Sequence, residues 1–460
     1  MVFASLPFLF LILPFFLVSD VVLRVLGAAR LRNLALLTIS LLFYTWGEAY
    51  SVFLLSGLGV FNYLAGRLLG TGLKPKLLLL AAVTINLGVL VGFKYAYWLL
   101  SFFIPAFSLK SGAIPLGISF FTFHAISYLV DVYRKQILPA RTALDFLTYF
   151  CMFPHLIAGP IVRYAHVQQD LESRGPDRDL FSFGMYRFLV GLNKKVIIAN
   201  TVSLMADSAF QMSALGKLGS ADAWLGVAAY AVQIYFDFSG YSDMAIGLAA
   251  MAGFHFEENF KRPYSSASIR EFWRRWHISL SSWLKDYLYI PLGGSRKGEL
   301  TTYRNMLLVF FLCGLWHGAD LTFILWGLWH GLFLVLERIG LGRFLDRLPR
   351  FLSRGYMFAV VVIGWVFFRA DSTAEAWTYL KRMFVFSSDP VVLTYHVGAF
   401  AALAAGALLC LLPDSWLPAP ASRSPRGFSH SAYLCQAALG ALSMVLLFAQ
   451  TRNPFIYFNF

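Results

Sequence analysis

Stretches free of Asp, Glu, Lys and Arg recur along almost the whole chain, at residues 2–19, 33–47, 49–66, 77–93, 95–109, 111–130, 146–162, 223–236, 305–319, 321–336, 355–368, 390–413 and 427–450. A bilayer span needs about 20 such residues, or about 17 at the short end. Several runs fall below that, and are expected to be re-entrant or half-spanning helices. Such segments persist in lipid only where they are buried in protein or line a cavity. Composition agrees: 58% of the 460 residues are hydrophobic and 13% charged, against roughly 45–50% and about 25% in soluble domains. A soluble enzyme, a disordered chain and a secreted disulfide scaffold are excluded. The expected fold is an all-α, polytopic integral membrane bundle of about a dozen spans plus re-entrant and interfacial helices.

The formal net charge is +14. In a membrane protein this fits basic loops on the cytoplasmic side. Arg24, Arg30 and Arg32, Lys74 and Lys76, Lys194 and Lys195, and Arg343, Arg347, Arg350 and Arg354 are read as marking those ends. No basic block interleaved with exposed aromatics occurs, so no nucleic acid is expected as a partner. Cys151, Cys313, Cys410 and Cys435 lie in apolar runs without metal spacing and read as small core residues. The first run lacks a basic n-region and a cleavage site, and reads as a retained span. A single membrane-embedded domain over 1–460 is expected, with a cytoplasmic loop carrying an interfacial helix at 253–303. The one linker-like stretch is 413–425. No internal repeat is visible, which weighs against transporters built from inverted halves.

Between Ile269 and Tyr287 apolar residues recur at three and four, predicting a helix with one wide apolar face. Arg270, Arg274, Arg275 and Lys285 occupy its other faces. Taken alone, this is a surface-lying anchor helix. His277 falls on the apolar face, where an imidazole must be neutral or hydrogen-bonded. The cations could hold an anionic substrate such as a phosphate-bearing thioester donor.

His317 in GLWHGAD (residues 314–320) and His330 in WGLWHG (residues 326–331) stand in apolar sequence, each flanked by Trp and Gly. Ionisable groups at membrane depth are costly and are functional candidates, although either could simply bond a neighbouring helix. Glycine beside each lets a backbone or ligand come close. Their spacing and the lack of Cys or Glu companions argue against metal, and none is expected. In QIYFDFSGYSD (residues 233–243), Asp237 and Tyr241 share a helical face. Asp237 and Asp243 could line a polar cavity or orient an imidazole, while Ser239 and Ser242 read better as a helix–helix clamp. Two prolines and a glycine in 153–163 predict a broken helix with His155 in a structural role. No hydrolase elbow, phosphate loop or His-Glu-x-x-His motif occurs.

Together, LGISFFTFHAISYLVDVYR (116–134), FPHLIAGPIVRY (153–164), QIYFDFSGYSDMAIGLA (233–249), REFWRRWHISLSSWLKDYLYIPLGG (270–294), GLWHGADLTFILWGLWHG (314–331) and WVFFRADS (365–372) resemble the membrane-bound O-acyltransferase family. Within it they resemble the bacterial branch typified by the alginate O-acetylation membrane subunit, as does the C-terminal FIYFNF. The resemblance runs in order over nearly the whole chain. It implies a bundle enclosing a tunnel, with a thioester donor entering from the cytoplasm and an acceptor hydroxyl from the other side. It implies His317 as the catalytic histidine, His277 as the second functional one and His330 as a third. Trp316, Asp237, Tyr241 and Asp243 are then tunnel or supporting residues, and Arg270, Arg274, Arg275 and Lys285 the donor mouth. The chain departs in its compactness and in Asp320, where a small or apolar residue is expected.

The expected activity is transfer of acetyl groups from cytoplasmic acetyl-CoA for O-acetylation of an exopolysaccharide. Transfer would be direct or through a periplasmic acetyltransferase subunit, from a multi-pass protein of the bacterial inner membrane. No bound cofactor is expected; acetyl-CoA is a substrate and membrane lipid a partner. A neutral His317, with an ordinary imidazole pKa of about 6.5, suits a general base, and His277 or a nearby Trp or Asn donor could hold the second position around the carbonyl. The alternative is a proton-coupled saccharide or lipid transporter using His317, Asp237 and Asp243 as a relay.

Overall fold

The apolar runs fold as helices. A computed structural model describes residues 2–96, 98, 114–175, 177–385, 397–412, 430–449 and 453, and no β-strand occurs among them. Seven helical segments among the described residues are long and apolar enough to cross a membrane. Two shorter apolar helices, Ile118–Tyr133 and Val397–Leu411, accompany them. The runs at 95–109 and 390–396, the stretch 413–425 and the C-terminal FIYFNF lie wholly or largely outside the described residues.

The chain divides into two compact units. The first comprises Met1–Leu192, Tyr241–Glu258 and Pro420–Gly440. It opens with a π-helical turn, Phe8–Ile12, running into α1, Leu13–Val25. Four helices follow: α2 (Ala29–Gly47), α3 (Ser51–Gly70), α4 (Pro75–Lys94, started by Pro75 in its first turn) and α5 (Ile118–Tyr133). Asn62 of α3 and Asn86 of α4 exchange amide bonds of 3.0 and 2.8 Å. Such a reciprocal pair satisfies both buried amides between two apolar helices. The predicted break is present: α6 (Ala143–Cys151) stops before Pro154, a single turn α7 (Phe153–Leu156) follows, and helix resumes only at α8 (Tyr164–Ser173). His155 is fully buried and donates from Nε2 to the Tyr149 carbonyl at 2.7 Å.

The second unit comprises Asn193–Gly240, Asn259–Ala419 and Ala441–Phe460. The helix α9 (Arg178–Asn193) passes through a π-helical turn, Lys194–Ala199, into α10 (Asn200–Ala214). This continuous segment is one of the seven candidate spans. The sequence reading missed it because Lys194 and Lys195 interrupt it. Lys195 is correspondingly no loop cation: it is buried, and its Nζ lies 2.6 Å from the Asp237 carboxylate. Arg32 is likewise buried and bonds Asp20 at 3.0 Å in the first unit. Asp237 belongs to α11, Ser220–Met251, a long helix whose residues are divided between the two units.

After the loop that follows α11 come α12 (Ile269–Arg275) and α13 (Ile278–Leu284), then a π-helical turn, Lys285–Tyr289. The helical hairpin of α14 (Glu299–His317) and α15 (Leu321–Leu336) follows. Its turn holds Asp320, whose carboxylate accepts the Thr322 N–H at 2.9 Å. That is a helix N-cap, which accounts for an acidic residue at this point. A Cβ at Gly314 would run into the Phe323 carbonyl, and one at Gly327 into the Phe310 carbonyl. Gly314 and Gly327 therefore admit the backbone of the facing helix, whereas Gly318 and Gly331, directly beside the histidines, face the side chains of Phe323 and Phe310. α16 (Gly342–Leu345), α17 (Arg350–Arg369) and α18 (Thr373–Phe384) complete this part, and Trp365 of α17 donates to the Tyr264 hydroxyl at 3.0 Å.

Candidate functional site

The expected single helix over 269–287 is interrupted at its centre. Trp276 is extended (φ −100°, ψ 128°) and His277 left-handed (φ 43°, ψ 56°), so α12 and α13 are separate. His277 is therefore not on a shared helical face with Trp273 and Leu284. The cause of the break lies 18 residues upstream. The Asn259 carbonyl accepts the Ile278 N–H at 2.9 Å, and its side-chain oxygen accepts the Ser279 N–H at 3.1 Å. Asn259 thus caps the first turn of α13 from outside it. The same oxygen meets the Ser279 hydroxyl at 2.9 Å and His277 Nδ1 at 3.2 Å. His277 is 1% exposed. Loss of hydration pushes its pKa down to about 3, so the ring is neutral.

His317 ends α14 at 4% exposure. Its imidazole sits edge-on among three rings: Trp316 at 4.7 Å, Trp326 at 4.9 Å and Phe368 at 5.1 Å between centroids. Trp316 also lies 6.4 Å from the His277 ring, so it is flanked by both imidazoles. His330, fully buried on α15, faces Trp273 at 5.3 Å and Trp326 at 5.4 Å and stacks on Phe272. Neither of its ring nitrogens has a hydrogen-bond partner among the described residues. Trp326 joins His317 to His330. The three histidines of the sequence reading thus sit along one continuous aromatic cluster built from α12, α14, α15 and α17.

Beside this cluster is a cavity of about 230 Å³. Arg270, Arg274 and Lys285 line it together with apolar Trp273, Phe310 and Cys313. The three cations are exposed and Trp273 is buried. Trp273 Nε1, a donor, has no partner among the described residues. Cys313 precedes His317 by one turn of α14, so the two share a helix face. Three cations over an apolar slot suit a molecule with an anionic head group and an apolar portion. Arg275 does not line this cavity; it pairs with Glu271 at 2.8 Å within α12.

The acidic stretch of α11 is distributed elsewhere. Asp237 pairs with Lys195. Asp243 pairs with Arg187 at 2.7 Å in the first unit, where Arg187 also meets Glu258. Tyr241 stacks on Phe3 at 4.5 Å. No His, Cys, Asp and Glu group suited to a metal occurs among the described residues. Sequence reasoning missed Asn259 and Glu337. The buried Glu337 carboxylate accepts the Ile269 and Arg270 N–H groups at 2.6 and 3.0 Å, fixing the start of α12. Nothing local to either residue signals its distant partner.

Residues 115–369 match the model of the membrane-bound O-acyltransferase family. The chain is 46% identical over 401 residues to the Pseudomonas putida protein named "Probable alginate O-acetylase AlgI", covering 84% of this chain and 81% of that one. It is 40% identical to the Azotobacter vinelandii protein of the same name over 100% of both chains. It is also 35% identical to a peptidoglycan O-acetyltransferase of Helicobacter pylori, over 76% of this chain and 73% of the other.

Proposed function

The chain belongs to the membrane-bound O-acyltransferase family, and we propose that this multi-pass O-acyltransferase passes acetyl groups from cytoplasmic acetyl-CoA to hydroxyls of an exopolysaccharide of the alginate kind. The observation that carries the reading is the placement of His317: a buried imidazole in an aromatic box, one helical turn beyond a cavity with an apolar wall and three cations. Relatives that match over 84% and 100% of the chain carry the name "Probable alginate O-acetylase AlgI". On this reading the protein lies in the bacterial inner membrane with about a dozen spans around a tunnel. The polymer, or a periplasmic subunit that completes the transfer, meets it from the outer side.

Arg270, Arg274 and Lys285 receive the phosphates of the donor, whose thioester reaches toward His317 along α14. His317 takes the proton of the acceptor hydroxyl as its oxygen attacks the thioester carbonyl. The C–O bond forms, the C–S bond breaks, and the proton passes from the imidazolium to the departing thiolate. General-base assistance of this kind is worth roughly 10²–10⁴-fold. The aromatic walls exclude water, which would otherwise compete for the acetyl group.

The test is transfer of label from acetyl-CoA to polysaccharide, or to a co-purified acceptor subunit, by purified protein in nanodiscs. His317→Ala is expected to fold and bind donor while losing transfer by at least about 100-fold. Unchanged transfer by that variant would sink His317 as the base. Absence of donor consumption and binding in the wild type, with acceptor present, would sink the donor.

A further inference from the structure

We propose that Asn259 is a positioning residue that locks His277 in its Nδ1–H tautomer, so that the ring offers its Nε2 lone pair to a hydroxyl of the acceptor that neighbours the reacting one. This rests on the acyltransferase reading for the identity of the hydroxyl, but the tautomer itself rests on hydrogen-bond geometry alone. The Ser279 N–H has no rotor and no tautomer. Because it points at the Asn259 side chain from 3.1 Å, the atom it meets must be the amide oxygen and not the amide nitrogen. That oxygen can only accept. His277 Nδ1, 3.2 Å from it, must therefore carry the ring proton, and a neutral imidazole has just one.

The surroundings keep the ring neutral. Phe238 of α11 meets it edge-on at 4.7 Å, and Phe260 and Trp316 face it at 6.4 Å. Burial accounts for the lowered pKa. The backbone serves the same end. The left-handed φ of 43° at His277 is a costly conformation for a residue with a Cβ. It is held by the two bonds from Asn259 to the residues that follow it, Ile278 and Ser279. The consequence is specific: a neutral His277 with Nδ1 engaged cannot donate to a developing oxyanion. Its role is to receive a hydrogen bond from the neighbouring hydroxyl and so aim the acceptor, while His317 removes the proton of the reacting hydroxyl.

Two measurements decide this. In protein labelled with ¹⁵N-histidine, the spectral difference between wild type and His277→Gln isolates the His277 ring. A protonated Nδ1 and a bare Nε2 are expected; a protonated Nε2 overturns the proposal, whatever the enzyme's substrate. The second uses Asn259→Asp, which keeps the backbone carbonyl and a side-chain oxygen to accept the Ile278 and Ser279 N–H groups but puts a carboxylate beside the ring. The carboxylate favours the imidazolium, so Nε2 becomes protonated as the pH falls. Raising the ring's pKa by about 1–3 from about 3 leaves the activity of Asn259→Asp relative to wild type unchanged near pH 8 and is expected to lower it by as much as about tenfold by about pH 5. A relative activity that does not change with pH means Asn259 is structural only and overturns the positioning role. Failure of the wild type to transfer acetyl groups would instead sink the functional reading, and the spectrum would still settle the tautomer.

Discussion

Glu337 ties two parts of the candidate site together through one carboxylate. It follows the last residue of α15, and its oxygens hold the Ile269 and Arg270 N–H groups at the start of α12, with the Tyr356 hydroxyl at 3.3 Å. An anion there satisfies orphan donors and complements the positive end of the helix. Because α12 carries Arg270, Trp273 and Arg274 into the cavity wall, the carboxylate sets where those groups stand. Glu337→Gln retains the shape but loses one acceptor oxygen and the charge. It is expected to cost roughly 1–3 kcal/mol of stability and to raise the KM for the acyl donor more than it lowers kcat. Thermal unfolding and steady-state kinetics with acetyl-CoA check this; a kcat loss at unchanged KM would separate α12 from donor binding. At this scale His277, His317 and His330 were legible because an imidazole in apolar sequence stands out. Asn259 and Glu337 were not, since an Asn in a polar loop and a Glu after a helix look ordinary until the fold brings in partners 20 and 68 residues away.

Helices were legible as elements wherever an uncharged run was long, and least so where a distant residue or a charge intervened. The three-and-four spacing of 269–287 is real, but periodicity cannot see a cap supplied from Asn259, which splits the run into α12 and α13. In the α14–α15 hairpin the glycines directly beside the histidines face side chains, and the closest backbone approach falls at Gly314 and Gly327 instead. A Cβ at Gly327 would meet the Phe310 carbonyl, and a carbonyl in a helix has no freedom to yield. Gly327→Ala is therefore expected to lose roughly 1–3 kcal/mol by forcing the hairpin apart, and to reduce transfer because Trp326 touches both His317 and His330. Gly355→Ala on α17 is the control: nothing lies within 4 Å of its Cβ, and alanine there is expected to be neutral or stabilising by up to about 1 kcal/mol. Equal melting temperatures for the two variants would remove the close-packing account.

Across the whole molecule the charges separate into two populations that sequence could not distinguish. Some cations stay exposed, among them Arg270, Arg274 and Lys285. Others are buried in pairs inside one unit or the other, as Arg32 is with Asp20 and Lys195 with Asp237. Counting basic residues toward loop topology therefore overstates the loops, since an ion pair satisfied within a helical unit carries no information about which side of the membrane it faces. The Lys195–Asp237 pair also bears on mechanism. A transport relay would need Asp237 to exchange partners, whereas its 2.6 Å ion pair with the buried Lys195 builds it into the fold. Breaking one partner leaves an uncompensated buried charge, so Lys195→Met is expected to cost roughly 3–5 kcal/mol. Adding Asp237→Leu removes that charge and replaces the pair with apolar volume, so the double variant is expected to recover most of the loss. The stabilities of wild type, both single variants and the double variant, taken as a cycle, measure the coupling directly. Recovery of both stability and acetyl transfer in the double variant makes the pair architectural and excludes Asp237 from proton movement. Recovered stability with transfer still absent would instead return Asp237 to the reaction, and with it the relay that the ion pair argues against.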